Sequence, residues 1–190
     1  MKIYLAGKIE ANDWRHTITL QLRSCVYNAG EWKRVTFLTT QLPGVRYSGP
    51  FFVACDHGCA HGPNSHGAAG ARGCVQGISR AEIIAKAQLG IRQCDLFIVY
   101  AGLDFSTAFG TLAEMGYAHA LKKEIILIAD PGLDLTEFWF VRGMAQMEIV
   151  SSDPADAIKK LLTYSSRTYR SLANLSLDLA RARAAEGLNE

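Results

Sequence analysis

Four short runs of aliphatic and β-branched residues punctuate the chain, at Ile3–Ala6, Val35–Thr40, Leu96–Tyr100 and Glu124–Ala129, with a weaker fifth at Met147–Val150. They are continuous rather than alternating, the pattern of parallel strands covered on both faces. Helical signals lie between them. Asn12 or Asp13 can cap a helix reaching about Asn28 and ended by Gly30. Ser79-Arg80-Ala81-Glu82 is a capping box that opens a helix to about Gln93. A third helix is expected from near Thr107 to Leu121 and a fourth after Asp134. A fifth is opened by Asp153-Pro154, a cap followed by proline at the first helical position.

Strand and helix therefore alternate, with one long interruption, which predicts an α/β domain built on a flavodoxin-like, doubly wound, five-stranded parallel sheet. Ligands of such sheets sit beyond the carboxyl ends of the strands, where the winding reverses. Gly7–Arg15 after the first strand and Ala101–Glu114 after the third are the segments expected there. The interruption is a long Cys/His/Gly loop insertion at 41–78, dense in glycine and proline from Pro43 to Gly77. That length suits a lid or substrate loop. Residues 1–162 are expected to form one domain carrying this insert. Residues 163–190, which mix Arg, Ala and Leu, are expected to add a C-terminal helical extension.

Composition narrows the function classes. Over 190 residues, 20 Lys and Arg against 18 Asp and Glu leave a net charge of +2. With no basic block, a nucleic acid polymer is not an expected partner. No apolar run approaches the ~18–20 residues of a membrane-spanning helix, so no membrane partner is expected either. The five cysteines, an odd number in a chain of this size, argue against a disulfide framework and suit a reducing, cytoplasmic compartment. A small-molecule partner and a homo-oligomer are expected.

The densest chemistry after the third strand is Asp104-Phe105-Ser106-Thr107-Ala108-Phe109-Gly110-Thr111-Leu112-Ala113-Glu114. It places an acid on a helix that starts at the ligand edge. Ser106, Thr107 and the free N–H groups of the helix start can hold an anion or sugar hydroxyls. Gly110 and Gly116 remove bulk one turn on either side of Glu114. The competing reading makes Thr111-Leu112-Ala113-Glu114 a second capping box, with Glu114 folded back on its own helix end.

This stretch, together with Lys2-Ile3-Tyr4-Leu5-Ala6-Gly7 and with Ile83–Asp95 leading into Leu96–Tyr100, resembles the nucleoside 2-deoxyribosyltransferase family, which also contains nucleotide N-glycoside hydrolases. The likeness covers about residues 1–40 and 79–162. Its most specific part is Gly110–Ala118: Gly-Thr, two residues, Glu, one residue, Gly-Tyr-Ala. The resemblance implies cleavage or transfer of the N-glycosidic bond of a nucleoside or nucleoside 5′-monophosphate. Glu114 would be the nucleophile that forms a glycosyl-enzyme ester, Asp104 would orient a hydroxyl or the base, and no cofactor would be required. Two positions depart from the family pattern: Ala87 stands where an acid usually precedes the third strand, and Ala108 where an acid lies nearer the glutamate.

The acid–base partner is then sought in Cys55-Asp56-His57-Gly58-Cys59-Ala60-His61. Cys55, His57, Cys59 and His61 are zinc-ligand types, with His66 or Cys74 available to complete a set, although their every-second-residue spacing is unusual. A glycine-flexible lid supplying Asp56 or His57 as substrate-binding acid or base is the rival reading, and an inert loop is the third. Near the first strand, Gly7 is placed at the substrate. Lys8 or Arg15 is expected to meet a 5′-phosphate, and Trp14 either stacks on a base or packs in the core. Two further functions compete: an NAD-cleaving glycohydrolase, and a non-catalytic nucleotide-sensing module on the same fold.

Overall fold

In the computed structural model, residues 1–9, 13–23, 29–52 and 78–163 are described. The chain divides after Ala155, and the sheet lies wholly within the first unit. Six strands form it: β1 (Lys2–Ala6), β2 (Leu38–Thr39), β3 (Arg46–Tyr47), β4 (Leu96–Ala101), β5 (Glu124–Ala129) and β6 (Met147–Val150). Their order is β2-β3-β1-β4-β5-β6. All neighbours are parallel except β2 and β3. The five parallel strands alone follow the order 2-1-3-4-5 of a flavodoxin-like sheet, whose winding reverses between β1 and β4.

The expected sheet of five strands is thus corrected to six. The run Val35–Thr40 does not supply the strand beside β1; only Leu38–Thr39 is extended, antiparallel at the edge. The neighbour of β1 is Arg46–Tyr47, inside the segment read as a loop. Leu42-Pro43-Gly44-Val45 turns the chain back, with Gly44 at φ 75° and the Val45 N–H donating to the Leu42 carbonyl at 3.1 Å. Proline then glycine at the two central positions, the second with positive φ, is a type II turn. The ladder runs on past the strand, from Arg46 N–H to Met1 O, Ser48 N–H to Ile3 O, and Leu5 N–H to Gly49 O.

Asp13 does cap, but no long helix grows from it. Two 3₁₀ turns, Trp14–Thr17 and Leu20–Arg23, precede a short α1 (Ala29–Arg34). The run Thr17-Ile18-Thr19 is β-branched throughout, so three consecutive side chains resist helical rotamers. By contrast α2 (Arg80–Gln93) begins on the expected capping box, with both reciprocal hydrogen bonds present at Ser79 and Glu82. A 3₁₀ turn (Phe105–Thr107) leads into α3 (Phe109–Ala120), and another (Thr136–Phe138) into α4 (Trp139–Met144). Helix α5 occupies 154–163, across the division of the chain.

β1, β4 and β5 are almost wholly buried, as continuous apolar strands should be. One face of the sheet packs Tyr4, Phe97, Val99, Ile125 and Leu127 against Ile91 of α2, Met115 and Ala118 of α3, and Val141 and Met144 of α4. Tyr4 and Phe97, partners in register, stack at 5.4 Å. α2 approaches the ladder so closely at Gly90 that a Cβ there would overlap the Ser48 carbonyl oxygen. Among the described residues, no helix is long and apolar enough to cross a membrane.

Candidate active site

α3 starts at Phe109, with no side-chain cap from Ala108. Thr111 is therefore inside the helix and buried, so it neither opens a capping box nor offers its hydroxyl to a ligand at the surface. Glu114, in the second turn, reaches out of its own helix: its Oε1 accepts a hydrogen bond of 2.6 Å from the Tyr4 hydroxyl on β1. Burial raises the Glu114 pKa above its ordinary 4.5, opposed by the Tyr4 hydrogen bond and the charge of Arg15. Burial and the neighbouring Glu114 charge push Tyr4 well above 10.0, so it stays a hydroxyl donor. The pair is a carboxylate held on one oxygen by a neutral donor, which leaves the other oxygen as a nucleophile or base.

A second cluster lies in the crevice between β1 and β4. Lys8 pairs with Asp104, linking the turn after β1 to the turn after β4. Thr107 lies 3.5 Å from the Lys8 Nζ and donates to the Asp104 carbonyl at 2.8 Å. Lys8, Trp14, Tyr100, Gly102, Asp104, Phe105 and Ala108 line a small pocket. Trp14 meets Tyr100 edge to face at 6.1 Å, and its buried Nε1 has no hydrogen-bond partner among the described residues. It is a donor left for a ligand's acceptor. Ser106, Thr107 and Gly110 are exposed beside this pocket, and a Cβ at Gly110 or Gly116 would meet nothing within 4 Å.

Arg15 is not where a phosphate can reach it. It is fully buried, with Nε donating to the Leu5 carbonyl at 2.7 Å, Nη2 to the Gly7 carbonyl at 2.7 Å and Nη1 to both oxygens of Asp13 at 2.9 and 2.7 Å. The expected phosphate contact at Arg15 is corrected on that ground, and Gly7 serves it as a carbonyl acceptor. Burial cannot be read from a sequence position near a strand end, which is why Arg15 and the exposed Lys8 looked equivalent.

The structure therefore brings Lys8, Trp14 and Asp104 together, and separately joins Glu114 to Tyr4; Glu114 does not line the Lys8–Asp104 pocket. Tyr4 was missed as a site residue, although a lone phenol within an aliphatic strand is a visible signal. Tyr100, whose hydroxyl donates to Asp130 Oδ2 at 3.1 Å, was missed too. Ala87 and Ala108 leave no acid at either position where the resemblance would expect one. Cys55, Asp56, His57, Cys59, His61, His66 and Cys74 lie outside the described residues, among which no cluster of metal-ligand types occurs.

No family model and no curated protein matches the chain. One solved structure with a partial likeness is a CMP N-glycosidase, BcmB, of Clostridium botulinum. It is 24% identical over 44% of this chain and 73% of that one, with a TM-score of 0.36.

Proposed function

We propose that the protein breaks or exchanges the N-glycosidic bond of a nucleoside or nucleoside 5′-monophosphate, with Glu114 as nucleophile. The observation that carries this reading is the Tyr4–Glu114 pair: a carboxylate withdrawn from helix capping and held by a neutral phenol beside the β1–β4 reversal. In the first step the free carboxylate oxygen bonds to the anomeric carbon as the bond to the base nitrogen breaks. The electron pair leaves with the base, which takes up a proton. Water, or the nitrogen of a second base, then displaces the carboxylate and frees the sugar product. Tyr4 donates to the carboxylate while it is charged and keeps it oriented.

The pocket lined by Lys8, Trp14, Tyr100 and Asp104, in the crevice between β1 and β4, is the proposed place for substrate groups. Lys8 suits a phosphate, the indole N–H of Trp14 an acceptor on the substrate, and Asp104 a hydroxyl or the base. Asp56 or His57 of the Cys/His segment remains the candidate proton donor to the leaving base, with zinc at Cys55, His57, Cys59 and His61 the competing use of that segment. The protein is proposed to act as a homo-oligomer in the cytoplasm, on a flavodoxin-like scaffold spanning residues 1–162.

The test is a panel of nucleosides, nucleoside monophosphates and NAD, with released base followed by chromatography. Glu114→Ala is expected to lower base release at least about a thousandfold with the circular dichroism spectrum and Tm retained. Turnover surviving in Glu114→Ala sinks the assignment. Release of nicotinamide alone selects the NAD-cleaving alternative, and ligand-dependent stabilisation with no base release from any substrate selects a sensing module.

A further inference from the structure

Arg15 is the most heavily engaged side chain in the described structure, and nothing in the proposed chemistry uses it. Its fork binds the carbonyls of Leu5 and Gly7 and, at 3.4 Å, of Lys8, so three successive parts of the turn leaving β1 converge on one cation. Gly7 sits at φ 145°, and a Cβ there would meet Arg15 Nη2 at 3.0 Å and the Tyr100 carbonyl at 3.2 Å. The guanidinium also lies over the rings of Trp14, at 4.5 Å, and Phe52, at 5.7 Å. Asp13, equally buried, neutralises it and accepts the Arg15 backbone N–H at 2.9 Å.

Stability alone does not explain such an arrangement. The desolvation of two buried charges offsets much of their attraction, and an apolar pair of similar volume commonly holds a turn as well. What an apolar pair cannot supply is a permanent positive charge whose planar fork also ties the carbonyls of Leu5, Gly7 and Lys8. Arginine suits that role because it stays protonated at any working pH and because its planar fork fixes several acceptors at once.

We propose that Arg15 is a positioning residue for the Glu114 centre: its guanidinium fixes the Gly7–Lys8 turn, and hence Lys8 and Trp14, while serving as the standing cation of the Tyr4–Glu114 pair. The proposal rests on the Glu114 reading for its catalytic meaning, but its electrostatic half is observable without turnover. The charge of Arg15 lowers the pKa of both Tyr4 and Glu114. Among the described residues, the titratable groups that act on this centre are the phenols of Tyr4 on β1 and Tyr47 on β3, with Arg15 and Asp13 from the turn after β1.

Full-length protein carrying ¹³C-labelled glutamate side chains tests it by NMR titration, with Glu114→Gln identifying the resonance. Arg15→Gln is expected to raise the Glu114 midpoint, and Asp13→Asn, which leaves the cation uncompensated, to lower it. Arg15→Lys should leave the midpoint near the wild type yet lower kcat/KM for base release about tenfold, because the charge is kept and the fork lost. A folded Arg15→Gln with an unmoved midpoint overturns the proposal. Should Arg15→Gln not fold, an unmoved midpoint in Asp13→Asn does so. Turnover retained by Glu114→Gln would instead overturn the Glu114 reading and leave the measured midpoints standing.

Discussion

At the scale of single residues, Glu114 carries a penalty that can be measured. Its folded pKa lies above the ordinary 4.5 chiefly because burial disfavours the charged form. The folded state therefore holds its proton to higher pH than the unfolded chain does, so the penalty from Glu114 sets in as pH rises past the unfolded value near 4.5 and is complete above the folded one. Glu114→Gln preserves the shape and an oxygen to accept from Tyr4 without the charge. It is expected to raise Tm by a few degrees at about pH 8, with the gain vanishing as pH falls below 4.5. Thermal scans across pH check the sign; a gain that grows toward acid contradicts it. In the wild type the same shift should place the acid limb of kcat/KM above 4.5. Chain order did place the candidates: Glu114, Lys8, Trp14 and Asp104 all lie in the two segments, 7–15 and 101–114, that the strand pattern picked out. What chain order does not carry is the direction of a side chain, so Arg15 was read as a ligand contact although its guanidinium is enclosed.

At the scale of elements, the capping box and the apolar runs at Ile3–Ala6, Leu96–Tyr100, Glu124–Ala129 and Met147–Val150 led to the elements they predict, whereas the Asp13 cap opened no long helix and the placing of the short strands β2 and β3 did not follow from local sequence. The Ser79–Glu82 capping box is complete within four residues, and α2 begins there. β3 is two residues long and gains its place only through the ladder to β1, so its sole local trace is the alternation Val45, Arg46, Tyr47 after a Pro-Gly turn. That ladder is also where α2 packs. Because the Ser48 carbonyl oxygen occupies the space a Cβ at Gly90 would need, Gly90→Ala must push α2 from the β1–β3 ladder or bend it. The helix-propensity gain of about 1 kcal/mol is expected to be outweighed, for a net loss of about 1–2 kcal/mol. Urea unfolding checks this. A stabilised Gly90→Ala would show that the contact relaxes freely and that α2 does not hold the ladder in place. Lys86 ties the same region together, its ammonium donating to the carbonyls of Trp32, Lys33 and Val35 while facing the Trp32 and Phe51 rings.

At the scale of the whole molecule, the proposed function makes charge the means by which an anionic substrate would be told from a neutral one. A net charge of +2 gives little long-range field to steer a nucleotide. Of the two cations the turn after β1 carries, Arg15 is enclosed and neutralised by Asp13, which leaves Lys8. Lys8 and Asp104 are 43% and 38% exposed, so their attraction is screened and worth at most about 1 kcal/mol. A phosphate dianion can displace Asp104 at that small cost, and the displaced carboxylate is then free to meet a hydroxyl or the base. Discrimination in favour of a 5′-monophosphate should accordingly reside in one contact rather than in the field. Lys8→Ala is expected to raise KM for a nucleoside monophosphate about tenfold, near 1.4 kcal/mol, and to leave the corresponding nucleoside unchanged. Raising salt from about 0.05 to 0.5 M should weaken monophosphate binding in the wild type and have much less effect in Lys8→Ala, since only a contact that still exists can be screened. Equal losses for nucleoside and monophosphate would mean that Lys8 holds the pocket's shape, with Asp104 as its structural partner, and that the phosphate is read elsewhere.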